Sequence, residues 1–131
     1  MRLVISHMWV IAALWSTVVF CDEKPLLPAQ AKQHVGKEVT VEMTVVASKK
    51  SVKRKLLFLD SLENHYDPDN LGVTLSESIE ADLARKHETA DVAEFFRKKT
   101  IRVQGVVITR DNHTYINVDN VDKLTLVEKQ P

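Results

Sequence analysis

Between residues 38 and 48 the side chains alternate in character: Val39, Val41, Met43, Val45 and Ala47 fall on one face, and Glu38, Thr40, Glu42, Thr44 and Val46 on the other. Period two over that length predicts a half-buried strand with one wet face. A basic turn, Lys49-Lys50-Ser51-Val52-Lys53-Arg54-Lys55, leads into Leu56-Leu57-Phe58-Leu59-Asp60, which is short and apolar on both faces, as a core strand is; the two read as a long hairpin. An acidic, turn-rich loop over 61–70 then gives way to a third short strand at 71–75, punctuated by Pro68 and Gly72.

At residue 77 the period changes. Ile79 and Leu83 stand at i, i+4, and Val92, Phe95 and Phe96 at i, i+3, i+4, so residues 77–98 are expected to hold one interrupted helix or two short ones. Asp91 and Glu94 have the spacing of a capping box, and Arg97, Lys98 and Lys99 suit the negative end of the helix dipole. Two further strands are expected at 100–110 and 113–119, joined by the tight turn Arg110-Asp111-Asn112-His113, and the alternation over 121–128 extends the sheet. Ahead of all this, the Pro-marked segment 22–34 reads as a linker with one or two helical turns, stopped by Gly36, and residues 129–131 as a tail.

Three strands, a helix and two strands in about 90 residues is the element order of the OB-fold, in which a helix plugs one end of a five-stranded barrel. Val35-Gly36-Lys37-Glu38-Val39-Thr40-Val41-Glu42 and Lys99-Thr100-Ile101-Arg102-Val103-Gln104-Gly105-Val106-Val107 resemble the first and fourth strands of small exported bacterial OB-fold proteins, which are similar to nucleic-acid-binding OB domains of the tRNA/helicase type. The resemblance implies a mainly β domain over 35–128, a five-stranded OB-type barrel with one or two short helices, preceded by an N-terminal signal helix. Gly105 has the mid-strand place where a missing Cβ lets a small barrel bend. Met43 stands where the pattern has its other glycine, and the loop before the third strand lacks the glycine and aromatic spacing of the group, so the resemblance assigns no ligand-binding residue.

Residues 1–21 form a nearly unbroken apolar stretch behind Met-Arg and ahead of Asp22-Glu23-Lys24-Pro25, the layout of a secretory signal peptide. Val19 and Cys21 occupy the −3 and −1 positions of a cut before Asp22. Export to the periplasm or outside the cell is expected; a retained membrane anchor and a lipoprotein cut before Cys21 are the alternatives, the second opposed by bulky Phe20. Cleavage would remove both tryptophans and the single cysteine, leaving about 38% apolar residues, 17 basic and 18 acidic side chains, and no internal disulfide. Such a near-neutral domain lacks the global field of a dedicated nucleic-acid binder and folds on its packed core alone.

Within that neutral total, Lys49, Lys50, Lys53, Arg54 and Lys55 are concentrated at the loop where OB-folds commonly take up oligonucleotides or oligosaccharides. They can neutralise phosphates, or they can simply solvate a hairpin tip and block edge pairing. Phe58 and Tyr115 are the candidate stacking platforms, Tyr115 sharing a strand face with His113, Asn117 and Asp119, and Arg110 stands in the adjoining turn. Phe95 and Phe96 are expected in the core. The loop carboxylates and His65 do not follow a calcium-loop pattern, the other histidines are scattered, and no catalytic motif is present, so neither metal, cofactor nor enzyme is expected. Asn112-His113-Thr114 is a glycosylation sequon, meaningful only in a eukaryotic secretory pathway. The expectation is a non-enzymatic binding module for single-stranded nucleic acid or another anionic oligomer; the alternative is an interaction domain that pairs a protein partner along an exposed strand edge.

Overall fold

The computed structural model describes residues 24–128. The expected signal peptide at 1–21 and tail at 129–131 lie outside the described residues. Among the described residues no helix is long and apolar enough to cross a membrane.

The alternating stretch after Gly36 forms two strands instead of one, β1 (Glu38–Thr44) and β2 (Ala47–Ser51). Between them the chain changes partner: the Val45 amide donates to the carbonyl of Lys99 at 2.9 Å, and the next amide, Val46, to that of Asp60 at 2.9 Å. The expected faces persist through the change, with Val41, Met43 and Val45 buried and Val46 exposed. β2 pairs with β3 (Leu56–Asp60), β3 with β4 (Leu71–Ser76), and β4 lies parallel to β6 (His113–Val118). The long strand β5 (Thr100–Arg110) serves three partners: β1 over most of its length, β6 at its end, and the short β7 (Leu124–Leu126) on its other edge.

The sheet therefore has seven strands in the order β1-β5-β6-β4-β3-β2, with β7 on β5. This corrects the expected five-stranded barrel in two respects. One predicted strand is divided, and the stretch expected to extend the sheet supplies the short strand β7, so the strands number more than five. Nor does a hydrogen-bonded ladder close the sheet, since its two ends, β1 and β2, are joined only by the covalent chain at Val45 and Val46. The remaining edge of β1 is covered by the N-terminal segment, where Leu26 bridges Val41 in parallel. Gly105 lets β5 and β6 approach, because a Cβ there would meet Ile116 Cγ2 at 2.7 Å.

Two short helices stand between β4 and β5. Ser76 caps α1 (Glu77–Lys86) by accepting from the Ile79 amide at 3.3 Å, and Ile79 and Leu83 point inward. The helix ends as Glu88 takes φ 51°. Asp91 caps α2 (Val92–Phe96) by accepting from the Glu94 amide at 3.1 Å, which is half of the expected capping box; the Asp91 amide goes to Thr89 Oγ1 instead. Phe96 enters the core fully, joining Leu57, Leu59, Val73, Leu75 and Ile101 in one buried cluster. Phe95 stays half-buried, stacked on the His87 ring at 4.9 Å with the Lys99 ammonium 3.6 Å above its other face. Burial and the charges of Lys86 and Lys99 hold the His87 imidazole below its ordinary pKa.

Candidate ligand-binding groove

Strand pairing brings one row of outward side chains across the sheet: Lys49 on β2 faces Phe58 on β3, Phe58 faces Thr74 on β4, and Thr74 faces Asn117 on β6. The neighbouring row runs Asp60, Gly72, Tyr115 and, on β5, Ile108. Gly72 makes this second row possible. A Cβ there would stand 2.7 Å from Tyr115 Cδ1 and 3.3 Å from Asp60 Oδ1, so only the bare backbone lets the ring and the carboxylate lie side by side.

Asp60 is 2% exposed and is the acceptor at the centre of a polar network. Its two oxygens lie 3.2 and 3.1 Å from His65 Nδ1, and Asn70 Nδ2 donates to Oδ1 at 3.1 Å. Asn70 in turn accepts from the Leu62 amide at 2.9 Å, and the Leu71 amide donates to Ser61 Oγ at 2.9 Å. These bonds fold the loop 61–70 back onto the sheet and fix the His65 ring. With the Nδ1 proton directed to Asp60, Nε2 accepts from the Tyr115 hydroxyl at 3.2 Å. Burial, reinforced by Asp60 and Asp111 and opposed by Arg54 and Arg110, raises the Tyr115 pKa, so the phenol keeps the proton it donates.

His65 is thereby the hub of a ring cluster, with centroids 5.5 Å from Phe58, 5.5 Å from Tyr66, 5.4 Å from His113 and 6.0 Å from Tyr115. Phe58 and Tyr115 form its floor, while Tyr66, 72% exposed, stands at its lip. The rings line a hollow of about 310 Å³ together with Lys49, Ser51, Arg54 and Asp111. A second hollow of about 280 Å³ adjoins it, lined by Leu56, Thr74, Ile108, Arg110 and Asn117, and the two share Arg54, Phe58 and Tyr115 as a common ridge. Among the described residues Lys49, Arg54 and Arg110 make no ion pair. Flat faces beside unspent positive charge suit a ligand with rings and an anionic backbone.

Of the nine candidate residues, Lys49, Arg54, Phe58, His113 and Tyr115 meet at the first hollow, and Arg110 lines the second. Lys50 does not join them: β2 continues through Ser51, so strand alternation turns Lys50 to the helical side, where its ammonium lies 3.3 Å from Glu80. Lys53 and Lys55 are exposed in the turn at 52–55, and neither lines a hollow of the groove. His65 and Tyr66 are the residues that strand reasoning misses, because they reach the sheet through a loop. The loop cluster that contains them is spent on internal bonds, Asp67 accepting from the Asp69 amide at 2.9 Å and Asp69 pairing with Lys32. No group of metal-ligating side chains is assembled among the described residues.

A larger concavity, about 500 Å³, lies on the β1 and β5 side between Lys24 and Arg102. Among the described residues its only aromatic ring is His34, and Arg102 is engaged by Glu42 at 3.1 Å. The aromatic groove combines flat rings with cations that make no ion pair among the described residues, and is the stronger candidate.

Strand order, parallel β4–β6 pairing and the helices between β4 and β5 define a mainly β domain of OB type. The asparaginyl-tRNA synthetase from Pyrococcus horikoshii, in complex with asparaginyl-adenylate, is similar in structure over 81% of this chain and 23% of its own, with 13% identity and a TM-score of 0.56. This chain thus spans about a quarter of the synthetase. OBody AM1L10 bound to hen egg-white lysozyme is similar over 82% of this chain and 95% of its own, at 16% identity and a TM-score of 0.54; for OBody AM3L09, also bound to lysozyme, the TM-score is 0.53. At these identities the likeness is one of fold. No family model matches the chain, and no curated protein matches it.

Proposed function

We propose that this protein is an exported, non-enzymatic binding module that takes up a short stretch of single-stranded nucleic acid in the groove formed by β3, β4, β6 and the loop 61–70. The observation that carries this reading is the meeting of Arg54 and Lys49 with five rings in one hollow. Rings give sequence-tolerant stacking and the cations hold phosphates. The protonated Tyr115 phenol, bonded to His65, serves as floor and not as nucleophile, which accords with a role in binding. Export rests on the apolar N-terminal layout. A protein ligand is the competing reading, favoured by the likeness to binders of lysozyme.

Fluorescence anisotropy with a labelled decathymidylate tests the proposal. Three available cations predict a log–log salt slope of about −2, since each phosphate neutralised on a single strand contributes roughly −0.7. Tyr66→Ala is expected to weaken binding by about 1–3 kcal/mol, the worth of one base–ring stack, and to leave the melting transition in place because the ring is exposed. Absence of binding, or binding indifferent to salt and to Tyr66, would refute the reading.

A further inference from the structure

Resting on the nucleic-acid reading, we infer that the groove is a two-nucleotide site in which Arg54 holds the single phosphodiester linking two bases, one in each hollow. The two hollows are similar in size, about 310 and 280 Å³, and each is too small for an oligomer but of the order that takes one flat unit. Their chemistry differs. The first is walled by rings. The second has apolar flanks, Leu56 and Ile108, and a polar base where Thr74 Oγ1 donates to Asn117 Oδ1 at 3.0 Å, leaving the Asn117 amide hydrogens to meet a base edge.

What separates the hollows also joins them. The ridge itself spans both rows, Phe58 in one and Tyr115 in the other, so a chain lying across it sets one base in each hollow with the linkage above the ridge. Arg54 is the one cation that lines both hollows, and it has no carboxylate partner among the described residues. Arg54 belongs to the exposed turn at 52–55, and its side chain reaches back far enough to line both hollows. Lys49 touches only the first hollow and Arg110 only the second, so each can reach a flanking phosphate but not the central one.

The test compares two neutral-ended dinucleosides by titration followed by NMR: thymidylyl-thymidine, whose one charge is the linking phosphate, and its methylphosphonate analogue, whose linkage is uncharged. The wild-type protein should prefer the charged linkage by about tenfold or more, the worth of a charge-assisted bond. Arg54→Ala should bind the two alike, and Lys53→Ala, altered outside the groove, should keep the wild-type preference. A preference that survives in Arg54→Ala overturns the inference, as does thymidine 5′-monophosphate binding as tightly as the dinucleoside. If decathymidylate binds the wild type but no linkage preference exists, the two-unit site fails while the proposed function stands. If decathymidylate itself does not bind, both fail.

Discussion

Replacing Asp60 with alanine is expected to lower the unfolding free energy by about 3 kcal/mol and to release the loop 61–70 from the sheet. The carboxylate is almost wholly buried and accepts from both His65 Nδ1 and Asn70 Nδ2. Its removal leaves two donors without their acceptor, one of them on buried Asn70, and hydrogen bonds to a charged group contribute about 1.5–3 kcal/mol each. Alanine suits the strand itself, because the backbone pairings of residue 60 with Ala47 and Gly72 are untouched. The loss should therefore appear as faster amide exchange over 61–70, with the β4–β6 ladder still protected. Urea unfolding gives the free energy. Equal stability of wild type and Asp60→Ala would show that the network contributes nothing to the fold. Because His65 orders the rings, the variant should also lose nucleic-acid affinity without losing any residue of the groove.

Phe96→Ala is expected to cost about 3–5 kcal/mol, the usual range for emptying a buried aromatic site. Phe96 is fully buried although it belongs to a helix of five residues, and it packs edge-to-face on Phe95, with centroids 5.0 Å apart. So short a helix has little stability of its own; its place between β4 and β5 depends on that side chain. Phe95→Ala is the control. That ring is half-buried under Lys99, and its loss should cost roughly 1 kcal/mol, the common magnitude for a point change. Thermal and urea unfolding of the two variants should rank them in this order. The reverse ranking would mean that the helix presents its other face to the core.

Much of the fold was legible because alternation reports which face of a strand is wet. The inward series through Val41, Met43 and Val45 and the outward series of β6 were visible on that ground. Alternation does not report the partner of a strand. The exchange from β5 to β3 at Val45 and Val46 keeps the period unbroken, so alternation alone yields one strand where there are two. The same limit hides Lys50: the basic run 49–55 has the composition of a turn, yet β2 runs to Ser51, and adjacent lysines on a strand must face opposite ways. Phe58, His113 and Tyr115 could be named in advance because they lie on strands. His65 and Tyr66 could not, because their position depends on a buried Asp60 holding a loop closed through contacts five to ten residues apart. The near-neutral total charge is equally silent, since it averages the paired Lys50, Lys32 and Arg102 with Arg54, which has no ion-pair partner among the described residues.

The most direct measurement is the map of backbone amide shifts of the ¹⁵N-labelled protein as hexathymidylate is added. The largest changes are expected at Arg54, Phe58, Tyr66, His113 and Tyr115, with Lys50 and the hollow around Lys37 and Arg102 unmoved. Changes centred on Lys37 and Arg102, or none at all, would contradict the proposed site.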